Sequence, residues 1–148
     1  MTRRVVLVTG GTRGIGAGTA RCFADQGDTV VVCSRTAAEA TIGEHITADV
    51  RDAGQVTGLI DEIVRRHGRL DVVVNNAGGG PYALAADAGP ALHRKILELN
   101  LLAPLTVSVA ANAVMQTQET GGVIVMISSV SGSRPSPGTA AYGAAKAG

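Results

Sequence analysis

The chain has 148 residues, 45% of them hydrophobic, and a formal net charge of +1. That length supports one domain with a buried core, and that composition excludes a disordered chain. Charges of both signs are scattered and the aromatic residues are only Phe23, Tyr82 and Tyr142, so nucleic acid and an anionic membrane surface are excluded as partners.

Residues 4–9 form a continuous apolar run of the kind a strand covered on both faces needs. Its basic start, Met1-Thr2-Arg3-Arg4, precedes too few apolar residues for a signal peptide. Residues 14–26 predict a helix with Ile15, Thr19, Cys22 and Phe23 on its apolar face, so Cys22 is expected to fill the core. Residues 29–33 predict the second strand. Cys22 and Cys33 lack metal-ligand spacing, no metal site is expected, and a reducing cytoplasmic compartment fits. The crossover over 36–44 is short and contains Gly43, which leaves room for a stub of helix at most. Residues 45–48 predict a weak third strand. Asp52 is placed to cap a helix that runs to His67 and stops at Gly68.

Residues 70–74 predict the fourth strand. A long helix is expected over 90–118, with Pro90 in its first turn. Its most apolar stretch, 101–115, contains Pro104, Thr106, Ser108 and Asn112 and is not expected to span a membrane. Gly121-Gly122 leads to a fifth strand over 123–127, and Ser136 or Thr139 starts a last helix. This rhythm predicts an α/β fold: a Rossmann-type doubly wound parallel sheet in the order 3-2-1-4-5, with helices on both faces. The whole of 1–148 reads as one domain, without repeats or a linker.

The turn Thr9-Gly10-Gly11-Thr12-Arg13-Gly14-Ile15-Gly16 joins the first strand to the first helix. Gly10 permits a tight turn, Gly14 lets a pyrophosphate approach the backbone, and Gly16 lets helix and sheet pack closely. No Gly-Lys-Ser/Thr follows, which argues against a nucleoside triphosphatase. At the end of the second strand, Cys33-Ser34-Arg35 carries no carboxylate, and none occurs until Glu39. A ribose 2′-OH reader is therefore missing, while Arg13 and Arg35 suit a 2′-phosphate, so NADP(H) is favoured over NAD(H).

Tyr142 and Lys146 are spaced i, i+4, and Ser129 lies thirteen residues before the tyrosine. A cation one helical turn away favours the phenolate and makes tyrosine a usable acid/base. Ser129 would hydrogen-bond a substrate oxygen, whereas strand alternation sends the neighbouring Ser128 to the other face. Asn100 precedes Pro104 by four residues, and proline has no N–H. The Asn100 carbonyl thus loses its helical partner and is free for a water that leads to Lys146. The bland alternative there is a simple proline kink. Asn76, at the end of the fourth strand, reads by itself as a structural turn residue; a second reading, cofactor ribose contact, comes only with the resemblance described below. His45, His67 and His93 show no pairing and read as surface or helix-end residues. The Gly79-Gly80-Pro81-Tyr82 loop is placed to border a substrate.

The Gly-x-x-x-Gly-x-Gly turn, Asp49-Val50, Asn75-Asn76-Ala77-Gly78 and the Ser129/Tyr142/Lys146 spacing together resemble the short-chain dehydrogenase/reductase family over essentially the whole chain. The resemblance implies an oxidoreductase that moves hydride between a nicotinamide cofactor and a small-molecule alcohol or carbonyl substrate. It implies a catalytic tetrad of Asn100, Ser129, Tyr142 and Lys146. It implies cofactor contacts from Gly10, Thr12, Arg13, Gly14, Ile15, Gly16, Ser34, Arg35, Asp49, Val50, Asn76, Ala77, Gly78, Tyr142 and Lys146, with Asp49 accepting from the adenine amino group. Full-length members of such a family are expected to be homo-oligomers. Family members continue past the lysine, so the chain reads as C-terminally incomplete, with the family's last strands absent. A short final helix and an exposed apolar fifth strand are expected. The alternative to an active enzyme is a catalytically silent nucleotide-binding fragment.

Overall fold

A computed structural model describes residues 3–38, 40–134 and 136–148; Glu39, with Met1, Thr2 and Pro135, lies outside the described residues. Five strands, Val5–Thr9 (β1), Thr29–Ser34 (β2), Glu44–Thr47 (β3), Val72–Asn75 (β4) and Val123–Met126 (β5), form one parallel sheet in the order β3-β2-β1-β4-β5. This is the predicted doubly wound order. Side chains alternate between faces along each strand, and the core divides accordingly. Leu7, Val31 and Val73 face one layer with Leu59, Ile63, Val107 and Met115. Val6, Val8, Val32 and Val74 face the other with Ala20.

The helices are Gly14–Asp25 (α1), Ala53–His67 (α2), Pro90–Leu97 (α3), Ala103–Met115 (α4) and Ala140–Ala147 (α5). Asp52 caps α2 by accepting from the Gln55 N–H, and Gly68 ends it in the left-handed region at φ 75°, both as predicted. Among the described residues of the crossover between β2 and β3 there is no helix at all.

The apolar face expected for α1 is not the one that packs. Ile15 is 71% exposed and Cys22 is exposed, while Gly16 and Ala20 are buried. A Cβ on Gly16 would overlap the Gly10 carbonyl oxygen, so the helix turns its smallest residues to the sheet. Close backbone approach, not side-chain hydrophobicity, sets its rotation, and Cys22 is not core filler. The histidines are also not all bland. His67 lies 2.9 Å from Glu44, which Arg66 also engages, and His45 lies 2.8 Å from Ser34.

The expected long helix is interrupted. Between α3 and α4, residues Glu98–Leu102 form a π turn, and the Ala103 N–H donates to the Glu98 carbonyl. The missing N–H of Pro104 is thereby absorbed by a local widening and not by a sharp kink. By length and composition the stretch Pro90–Met115 could cross a membrane. Here Ile96, Ala103, Val107, Ala111 and Met115 are buried, and α4 packs on α2 and β4. At the sheet edge, β5 pairs among the described residues with β4 alone and leaves Val123 56% and Met126 48% exposed, the apolar edge anticipated from sequence.

Candidate active site

The C-terminal ends of β1, β2 and β4 converge on the glycine turn. Gly10 adopts φ 64° and its N–H donates to the Cys33 carbonyl at 2.9 Å. The Thr9 hydroxyl oxygen accepts from the N–H groups of Asn76 and Ala77, both at 3.0 Å. The Asn76 amide donates to the carbonyls of Thr9 (2.9 Å) and Gly10 (3.2 Å). Of its two readings, the bracing one is visible: Asn76 ties β4 to the turn.

At the start of α1 the N-cap position is held by exposed, extended Arg13, whose side chain makes no capping bond, and the first turn carries no acid. Gly14, at φ 55°, has open space where a Cβ would stand. First-turn N–H groups without a side-chain cap, a positive helix end and an open glycine fit a pyrophosphate. Thr12 is half-buried beside them and Ile15 exposes its side chain. The fit to a dinucleotide is therefore good at the level of the cradle.

On the adenine side expected from sequence, Val50 is buried and the Asp49 carboxylate is gripped by Arg51, whose Nη2 donates at 2.5 Å and Nε at 3.0 Å. The Arg51 hydrogen bond holds the Asp49 carboxyl below the usual carboxylate range, with a smaller contribution from the charge of Arg35. Sequence reasoning missed Arg51; its place two residues after Asp49 was the available signal. Arg13 and Arg35 are both exposed. Burial pushes the Cys33 thiol up to about 11, so it is an inert part of the core.

Asn100 and Lys146 come together where β4 and β5 end. Asn100 is only 3% exposed. Its side chain accepts from the Gly79 N–H at 2.7 Å and donates to the carbonyls of Gly79 (2.8 Å) and Ile96 (2.9 Å). The sequence argument concerned its backbone carbonyl; the side-chain clamp on the loop after β4 was not foreseen. A Cβ on Gly78 would come within 2.8 Å of Asn100 Oδ1, so glycine is what lets the Asn100 amide approach there, and it would stand in ordinary contact with Lys146 Nζ at 3.5 Å.

Lys146 Nζ donates to the Ile127 carbonyl at 2.7 Å and sits 5.8 Å from the centroid of the Tyr142 ring. Burial lowers its pKa from the ordinary lysine value. Ser129 accepts from the Ser131 N–H at 3.2 Å and caps the short turn Val130–Gly132. That turn packs on α5, since a Cβ on Gly143 would come within 2.8 Å of the Ser131 carbonyl oxygen. Ser128, assigned to the opposite face, donates to the Lys146 carbonyl at 3.1 Å and so anchors α5. A cavity of about 300 Å³ lies beside Asn100, Lys146 and Ile127.

A parallel doubly wound sheet with this glycine turn defines a dinucleotide-binding α/β domain. The sequence profile of the short chain dehydrogenase family matches residues 4–148. The chain is 38% identical over 160 residues to a 3-oxoacyl-[acyl-carrier-protein] reductase of Synechocystis sp., covering 100% of this chain and 64% of that protein. It is 38% identical over 137 residues to an L-fucose dehydrogenase of Bos taurus, covering 87% and 50%. The aldohexose dehydrogenase of Thermoplasma acidophilum superposes with a TM-score of 0.93 at 33% identity, covering 98% of this chain and 56% of that one. The chain belongs to the short-chain dehydrogenase family, whose enzymes are oxidoreductases with a nicotinamide cofactor. It spans less than two-thirds of the length of these relatives.

Proposed function

We propose that the chain carries the cofactor-binding and catalytic part of an NADP(H)-dependent oxidoreductase that interconverts an alcohol and a ketone. The observation that supports it most is the meeting of Asn100 and Lys146 around Gly78, one helical turn from Tyr142. NADP(H) is preferred because Arg13 and Arg35 are exposed and the sequence Cys33-Ser34-Arg35 at the end of β2 carries no carboxylate for a ribose 2′-OH. Gly14 and the first turn of α1 hold the pyrophosphate, and Asn76 keeps the turn in shape. When bound, the nicotinamide supplies or accepts the hydride.

The chain's own part is proton management. Tyr142 gives its hydroxyl proton to the carbonyl oxygen in reduction and takes it back in oxidation. The Lys146 cation stabilises the negative charge that develops on the tyrosine oxygen. Ser129 uses its oxygen to accept from Ser131, and its hydrogen, without an acceptor among the described residues, is available to the substrate oxygen. Asn100 holds the loop at Gly79 that borders this space. The names of the relatives include sugar and 3-oxoacyl substrates, and only their shared alcohol–carbonyl chemistry is carried over. Two unpaired thiols suit a reducing cytoplasm. Exposed Leu105 and Val109 on α4 suit self-association.

Tyr142→Phe tests the reading. It should lower turnover by about 10²- to 10⁴-fold while NADPH still binds. Unchanged turnover would remove Tyr142 from the chemistry; NADPH binding with no turnover in the unaltered chain would favour the silent nucleotide-binding module.

A further inference from the structure

His45, on edge strand β3, reaches the turn that presents Arg35. Its Nε2 lies 2.8 Å from the Ser34 hydroxyl oxygen, and that hydroxyl donates to the Thr36 carbonyl at 2.8 Å. A serine hydroxyl has one hydrogen. With that hydrogen committed to Thr36, the histidine must be the donor, so its Nε2 carries a proton. The chain of bonds has one direction: His45 N–H to Ser34 oxygen, Ser34 O–H to Thr36 carbonyl. It immobilises the residues on both sides of Arg35.

The backbone is anchored at the same place. The Ser34 carbonyl accepts from the Ala48 N–H at 3.0 Å, and the Cys33 carbonyl accepts from Gly10 in the glycine turn at 2.9 Å. Glu44 precedes His45, but strand alternation points it to the other face, where Arg66 and His67 engage it. Arg35 therefore stands exposed on a turn held from both neighbouring strands. Ser34, for its part, has no hydrogen left to offer a phosphate oxygen.

We propose that His45 is a positioning residue for recognition of a ribose 2′-phosphate: its hydrogen bond to Ser34 fixes the turn that presents Arg35, and so sets the preference for the phosphorylated nicotinamide dinucleotide. This rests on the reading of Arg35 as a phosphate contact. An oriented guanidinium forms bidentate bonds to phosphate at less entropic cost than one on a loose turn. NADH, which lacks the phosphate, gains no bidentate bond from Arg35 and so does not depend on how the turn holds it.

The experiment measures dissociation constants for NADPH and NADH by nicotinamide fluorescence, in the unaltered chain and in Arg35→Met, His45→Leu and His45→Gln. Arg35→Met should reduce the NADPH:NADH preference at least tenfold, the scale of a charge-assisted bond. His45→Leu should reduce it about fivefold, the scale of one neutral hydrogen bond, with NADH affinity unchanged. His45→Gln, whose amide can donate from a similar position, should restore it. If Arg35→Met collapses the preference and His45→Leu keeps it, the His45 proposal is overturned and the phosphate reading stands. If the unaltered chain shows no NADPH preference, or Arg35→Met leaves it intact, both fall. Equal loss of both cofactors in His45→Leu, or no recovery in His45→Gln, overturns the hydrogen-bond account. Should His45→Leu fail to give a cooperative melt, Ser34→Ala removes the same link, and an unchanged preference there overturns the proposal.

Discussion

The Lys146 ammonium donates to the Ile127 carbonyl, and the hydroxyl of Ser128, the next residue, donates back to the Lys146 carbonyl at 3.1 Å. Side chain and backbone of one lysine thus lock α5 onto the end of β5. The proposed catalytic cation is also the bolt that positions Tyr142.

Lys146→Met should therefore lose the cation and its bond to the Ile127 carbonyl while keeping the backbone bond from Ser128, with turnover falling at least about 10²-fold. Its burial also makes a pH prediction. The folded pKa is lowered below the ordinary lysine value of 10.5, so between the two values the unfolded chain holds more protons. The unfolding free energy contributed by this group then rises with pH across that window. The difference in stability between the unaltered chain and Lys146→Met, from denaturant melts at alkaline pH, should grow as pH approaches the unfolded value. A difference that shrinks would contradict the burial of the ammonium.

Asn100→Ala leaves the Gly79 N–H without its partner and removes two further bonds. A loss of about 3 kcal/mol is expected, read by urea denaturation. Asn100→Asp should not repair it, because a carboxylate cannot donate to the Gly79 and Ile96 carbonyls.

Gly14 and Gly16 should separate cofactor binding from stability. Gly16→Ala forces a methyl onto the Gly10 carbonyl oxygen, and a stability loss of about 1–3 kcal/mol follows from overpacking. Gly14→Ala meets open space, so its fold suffers mainly from φ 55°, while the methyl stands where the pyrophosphate must approach. Thermal melts with NADPH titrations should show the larger melting loss in Gly16→Ala and the larger binding-to-stability ratio of loss in Gly14→Ala.

Asp71 holds the start of β1 by accepting from the Val5 N–H at 2.8 Å and from Arg69. Burial pushes its carboxyl up, but Arg69, the Val5 N–H and Arg4 together hold it below the usual value. The stability it contributes is complete above pH 3.8 and is lost as pH falls through the folded value. Acid unfolding of Asp71→Asn should accordingly be shallower than that of the unaltered chain in this range, from a start about 2 kcal/mol less stable at neutral pH.

Val123 and Met126 lie exposed on an edge strand. Val123→Lys should reduce light scattering on concentration while leaving the melt nearly unchanged, since a charge on an edge discourages strand addition.

The sequence alone determined what local pattern can encode. Apolar runs marked β1, β2 and β4, because a strand covered on both faces needs unbroken hydrophobicity. Asp52 and Gly68 marked the ends of α2, because caps act within a few residues. The spacing of Tyr142 and Lys146 marked one helical turn. The tertiary structure decided what depends on partners far along the chain. The rotation of α1 follows from Gly16 meeting the Gly10 carbonyl, and hydrophobic periodicity pointed to Ile15 and Cys22 instead. The π turn at Glu98–Leu102, the grip of Asn100 on Gly79, and the bonds of His67 to Glu44 and His45 to Ser34 had no local signature. Each arises only when crossovers set strand neighbours and register, which brings donors and acceptors from separate segments within about 3 Å of one another.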